Sequence, residues 1–188
     1  MKHAVRLGGQ AVEFRKGQKV VYPYHGVVEV TDRVTQVIDG KKVKVVVFSV
    51  PHRKATEHTA MTVSIPEERA ESIGIRPAAS PEDADDVLEV LRVTDARVPS
   101  NWSRRFKNHQ EKLKSGDLFQ CAEVVRNLTN RKRTSNLASA ETSMHATARY
   151  LLASELAVTW NVNAEEAEAR MDRALNNTED ADVAKAAR

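Results

Sequence analysis

Seven consecutive residues, Asn101-Trp102-Ser103-Arg104-Arg105-Phe106-Lys107, join a large aromatic ring to three cations within two helical turns. An indole is a flat apolar surface that can stack on an unpaired base or wedge against a disrupted base step, while guanidinium and ammonium groups hold phosphates. Together these suit distorted DNA. Helical spacing also permits a second reading, in which Trp102, Phe106 and Leu113 at i, i+4 and i+11 form one buried stripe. Periodicity alone favours that burial. The place of Trp102 in a first turn beside Pro99 favours projection from the end of a bundle instead. Other chemistry is hard to find. The chain has no glycine-rich phosphate loop followed by lysine, no Gly-x-Ser-x-Gly elbow and no His-Glu-x-x-His. Its six histidines, at positions 3, 25, 52, 58, 109 and 145, are scattered. Only His52 and His58 share a segment where Glu57 could complete a metal site, and a solvated loop is the better reading of it. No catalytic residue, metal or cofactor is expected. Cys121 reads as a small buried hydrophobe and Trp160 as packing.

The 188 residues are 41% apolar and 29% charged, the balance of a soluble globular protein. No window approaches the ~18 apolar residues of a membrane span, and the stretch from Met1 to Phe14 lacks the apolar run of a signal peptide. With a single cysteine, the expected compartment is the cytosol. The net charge of +3 conceals segregation. Residues 1–65 hold 11 basic and 5 acidic side chains, and residues 99–140 hold 9 and 3. Residues 66–98 and 141–188 are acidic. Two basic blocks parted by an acidic one suggest two binding surfaces, at least one able to face a polyanion; solvated faces are the plainer alternative.

The N-terminal third reads as strands: Lys19–Tyr22, Gly26–Val30, Val34–Ile38, Lys42–Val50 and Met61–Ile65. Asp39-Gly40 between β-branched runs is a hairpin signal. Strands so closely spaced leave no room for crossover helices, which implies a small antiparallel barrel or a strongly bent sheet. From Pro66 the periodicity becomes helical. A short helix starts at Pro66-Glu67-Glu68, and another at Ser80-Pro81, with Val87, Leu88, Val90 and Leu91 apolar. Four more follow: Ser100 to Lys114, Asp117 to about Arg133, Ala140 to about Thr159, and one from Asn163, whose spacing to Glu166 fits a capping box. The fold class is thus α+β. The expected organisation is a flexible 1–13, a β domain over 14–78, a helix and linker over 79–98 with the joint at 93–99, a helical domain over 99–177 and a frayed 178–188.

Two motifs carry a family resemblance. The first is Lys16-Gly17-Gln18-Lys19-Val20-Val21-Tyr22-Pro23-Tyr24-His25-Gly26, supported by Ala70-Glu71-Ser72-Ile73-Gly74-Ile75-Arg76. The second is Asn101-Trp102-Ser103-Arg104-Arg105, continued by Lys112-Leu113, Ser115-Gly116-Asp117 and Ala122-Glu123-Val124-Val125-Arg126. In their order and spacing, from about Phe14 to Asn176, the chain resembles bacterial CarD/CdnL-family transcription regulators. The resemblance implies a Tudor-like N-terminal domain, shared with transcription-repair coupling factors, that holds the RNA polymerase β subunit. It implies a helical domain that touches promoter DNA near the −10 element, at the upstream edge of the melted region. Trp102 would wedge there, with Arg104, Arg105 and Lys107 gripping the backbone and Asn101 and Arg131 beside them. Arg33, Gln36, Val37, Val63 and Ser64 would face the polymerase. A cytosolic monomer with no small-molecule substrate is expected.

Departures from the family fall mainly on the polymerase side. Gln36 and Ser64 stand where members often carry arginines, and Lys41, Lys42, Lys44 or Arg33 would have to compensate. Residues 51–60 form a longer insertion than usual. Thr142 and Ser143 replace common cations, and Asn136 replaces a usual glycine. Two functional classes therefore stand open: a regulator bridging polymerase and promoter, and a divergent interaction module whose polymerase binding is weakened or altered.

Overall fold

A computed structural model describes residues 14–51, 60–94 and 96–177. The expected tails and the segment holding His52, Glu57 and His58 lie outside these residues. Five strands come first: β1 (Lys19–Tyr22), β2 (Gly26–Ile38), β3 (Lys41–Val50), β4 (Met61–Pro66) and, after helix α1 (Glu67–Ile73), β5 (Arg76–Pro77). They pair antiparallel in the order β4-β3-β2-β1-β5. The five strands make a single antiparallel sheet with β4 and β5 at its edges. β2 is one long strand where the sequence suggests two, because the register shifts between Val30 and Asp32. Thr31 is the extra residue of this bulge and its hydroxyl donates to the Val47 carbonyl at 3.1 Å. The Asp39-Gly40 turn has φ of 50° and 76°, the two positive values that a tight hairpin between right-twisted strands requires.

One face of the sheet buries Val20, Val28, Val30, Val46, Phe48, Val50 and Ile65 against Phe14, Ala70 and Ile75. Phe14 and Phe48 meet edge to face at 5.8 Å. β4 pairs with β3 only from Val45 to Val50. The hairpin end, Thr35–Ile38 and Lys41–Lys44, therefore extends past β4.

Helices follow: α2 (Pro81–Arg92), α3 (Trp102–Lys114), α4 (Leu118–Thr134), α5 (Ser139–Thr159) and α6 (Ala164–Leu175). Their starts are written in side chains. Ser80 and Asp83 form a reciprocal capping box, and Asn101, Asp117 and Asn163 each accept a backbone N–H from three residues on. α3 stops at Gly116, whose φ of +67° ends the right-handed path. α4 exits through Ser135 in extended conformation, and Asn136, which stands where the family usually has glycine, has no positive φ.

The helical core joins Val124, Val125 and Leu128 of α4 to Leu152 and Leu156 of α5 and Met171 of α6. α2 belongs to it, burying Ala84, Val87, Leu88 and Leu91. The connection over 93–99 therefore joins two helices of one core. The change from sheet core to helical core falls between Ile75 and Ala84. Trp160 caps α5, packs on this core and carries the Arg170 guanidinium 5.1 Å over its ring.

Candidate nucleic-acid interface

The first turn of α3 exposes Trp102, Ser103 and Arg104. Trp102 is 46% exposed and stacks on Phe106, with centroids 5.3 Å apart and planes within 20°. Phe106 in turn packs partly on the helical core. The i, i+4 stripe therefore exists, but only its far member, Leu113, is buried. A ring fixed by stacking from below and open above is pre-organised for a flat partner. Arg104 and Lys107 are exposed beside it, and Lys107 lies 3.9 Å from Glu111 in a solvated ion pair of small energetic weight. Asn101 is the helix cap: its side-chain oxygen accepts the Arg104 N–H at 3.1 Å.

Arg105 is a correction to the expected set. It is 2% exposed, and its Nε donates to Glu141 at 2.8 Å. Its Nη1 donates to the carbonyls of Pro99 and Ser100 at 3.2 and 2.9 Å. A guanidinium so enclosed is unavailable to a phosphate. What it does is tie the chain entering α3 to the start of α5, which fixes the angle at which Trp102 leaves the bundle. Glu141 is itself 1% exposed and also accepts the Ala138 N–H at 3.3 Å. Burial alone would raise its carboxyl pKa. The Arg105 hydrogen bond, the Ala138 N–H and the charges of Arg105 and Arg131 outweigh burial and hold it below the ordinary carboxylate value.

Arg131 reaches the same carboxylate from the last turn of α4, with Nε 3.7 Å from Glu141. It is half-buried and followed by exposed Lys132 and Arg133. The start of α3, the basic end of α4 and the start of α5 thus converge through one buried glutamate. Lys132 also lines a shallow groove with Ser135, Asn136, Thr142 and His145.

One turn beyond Arg105, His109 is fully buried, and neither ring nitrogen has a hydrogen-bond partner among the described residues. Burial, with Lys112 and Arg105 nearby, pushes its pKa down to about 4. A histidine neutral in the folded protein but titrating near 6.5 when unfolded supports the fold above pH 6.5, and that support drains away as pH falls toward 4. The loss over this window is about 3 kcal/mol. We expect His109→Leu to flatten it: the variant's stability advantage over the parent, read from melts at several pH values, grows between pH 6.5 and 4. Parallel pH profiles would refute this account.

The residues expected to face the polymerase lie on the sheet. Gln36 and Val37 sit near the hairpin end opposite Val43 and Lys42, and Val37 is 69% exposed. Ser64 is exposed on the β4 edge opposite Val47, while Val63 is half-buried and packs on the sheet core. Arg33 is engaged within the chain, its guanidinium paired with Glu67 at 2.6 to 3.0 Å. That carboxylate occupies it, and the other cations at the hairpin end, Lys41, Lys42 and Lys44, are exposed.

Among the described residues no group of three metal-ligating side chains converges, and no helix is long and apolar enough to cross a membrane. Residues 86–172 match the family model described as CarD, C-terminal domain. The chain is also 28% identical over 147 residues to a Bacillus subtilis (strain 168) protein named "Putative transcription factor YdeB", an alignment that covers 77% of this chain and 91% of that protein. The matched region runs from α2 into α6 and contains the Trp102 surface with the Arg105–Glu141 pair beneath it, so that over this helical half the chain is similar to the C-terminal domain of CarD.

Proposed function

We propose that the chain regulates transcription initiation as a bridge, its sheet holding the RNA polymerase β subunit and α3 placing Trp102 against promoter DNA at the upstream edge of the bubble. The observation that carries this reading is the exposed Trp102–Phe106 stack with Arg104 and Lys107 beside it, on a helix start anchored by a buried ion pair. Anything that binds the melted promoter and not the closed one favours melting by its differential affinity, so a few kcal/mol shifts the populations ~10²-fold. The wedge needs only to fill a disrupted step, while Arg104, Lys107, Lys132 and the solvated part of Arg131 neutralise flanking phosphates. No covalent step is involved, and the protein acts as a monomer in the cytosol. The test is the lifetime of open complexes on cognate promoters. Saturating protein is expected to change lifetime and transcript yield together, and no change in either would sink the proposal.

A second reading rests on the exposed, uncharged Gln36 and Ser64. Losing an arginine from a charge-paired interface costs ~2 to 5 kcal/mol when its acidic partner stays buried. On this reading the sheet serves another protein. Capture of the isolated β-lobe by the full chain decides: firm binding removes the second reading, and its absence removes the polymerase half of the first.

A further inference from the structure

Between the two cores runs a seam whose polar centre is buried. Arg76 on β5 donates to both oxygens of Glu155 on α5, at 2.5 and 2.9 Å, and to the Gly116 carbonyl at 3.0 Å. Glu155 is 4% exposed and also accepts the Ala79 N–H at 3.1 Å. The Thr159 hydroxyl donates to the Ala79 carbonyl at 3.1 Å. Around this centre the backbones are in close contact. A Cβ at Gly26 would lie 2.8 Å from the Ser154 hydroxyl oxygen, and one at Gly116 would lie 3.2 Å from the Pro23 ring. Both glycines have positive φ, so neither place readily takes a side chain.

We propose that Arg76 and Glu155 are positioning residues that make the sheet and the helical bundle one rigid body, so that holding the sheet fixes where Trp102 lies. This rests on the bridging function proposed above. A bidentate arginine–carboxylate pair permits one relative orientation, whereas an apolar seam tolerates sliding. Here the fork also grips Gly116, the turn between α3 and α4, so the helix bearing Trp102 is held at both ends. Arg105 holds its start and Arg76 the loop at its finish. A rigid link converts one binding event into local placement of the second surface, and a loose link dilutes that gain over many orientations.

The experiment compares the full-length parent with the double variant Arg76→Gln/Glu155→Gln, which removes both charges and leaves no buried charge alone. Backbone ¹⁵N relaxation of the parent is expected to give one tumbling time for residues 14–77 and 79–177, and two in the variant. β-lobe capture and binding to bubble-containing DNA, measured separately, are expected to stay within about twofold, while the open-complex effect drops about tenfold. Two tumbling times in the parent overturn the proposal without recourse to any variant. One tumbling time in the variant overturns the role of the pair, and an uncoupled variant with undiminished effect on open complexes overturns the positioning. If the parent tumbles as one body yet leaves open complexes unchanged, the bridging function fails and the clamp stands.

Discussion

Trp102→Ala is expected to remove most of the effect on open complexes while moving the melting temperature by no more than about 4 °C. The ring is nearly half exposed, and its intramolecular partner is the face of Phe106. An aromatic pair of this kind contributes ~1 kcal/mol, which in a protein of this size is a shift of about 2 to 4 °C. A tryptophan buried in a core would cost ~3 to 5 kcal/mol. Stacking on a base or base step would be worth ~1 to 3 kcal/mol, roughly a 5- to 150-fold loss in the population held open. Trp102→Phe should recover part of this. A collapse in stability instead would mean that the ring serves the fold and that the interface has been misplaced.

The second large effect is expected at Glu141, and it is opposite in kind. Glu141→Ala should cost about 3 to 5 kcal/mol of stability, because it strands a guanidinium that is otherwise shut from water. Arg105→Ala should behave similarly and should leave the salt dependence of DNA binding unchanged. Arg104→Ala and Lys107→Ala should do the reverse, with near-parental melting and a salt slope lowered by about one each. Replacing both buried partners, as Arg105→Met/Glu141→Leu, should restore much of the loss, since well-packed apolar pairs often replace a buried ion pair at little cost. Unchanged melting in Glu141→Ala would show that the pair is solvated. The pH sense follows from the lowered carboxyl: its stabilisation is present above the ordinary glutamate value near 4.5 and is lost as pH falls through the lower folded value. It fails on the acid side of the window in which His109 acts.

Most helices are readable from the chain because caps and periodicity agree there. Ser80, Asp117 and Asn163 announce their helices, and α4 and α5 repeat apolar residues every three or four positions. β1 is readable too, and the hairpin turn is given by Asp39-Gly40. Sequence reasoning failed wherever the deciding partner lay far along the chain. The bulge at Thr31 interrupts the alternation, so the one strand β2 reads as two. β5, two residues long, has no pattern of its own and forms because β1 offers Val20 and Val21 as partners. Arg105 has the charge of a DNA contact but the spacing of a core residue. It stands four residues before His109 and eight before Leu113, on the buried face, and that signal was available. Its counter-charge, 36 residues away, was not. The Arg76–Glu155 contact spans 79 residues and left no local trace.

α5 carries both buried glutamates, one beneath the Trp102 surface and one in the seam with the sheet. The spacing from Glu141 to Glu155 amounts to about 21 Å of helix at 1.5 Å per residue. α5 therefore acts as a gauge bar between the seam with the sheet and the base of the Trp102 surface, and its length is set by residue count rather than by side-chain choice. One residue inserted between those glutamates would lengthen the bar by only about 1.5 Å but turn one end by about 100° relative to the other. Surface substitutions along α5 should be absorbed readily, whereas single-residue insertions or deletions there should not.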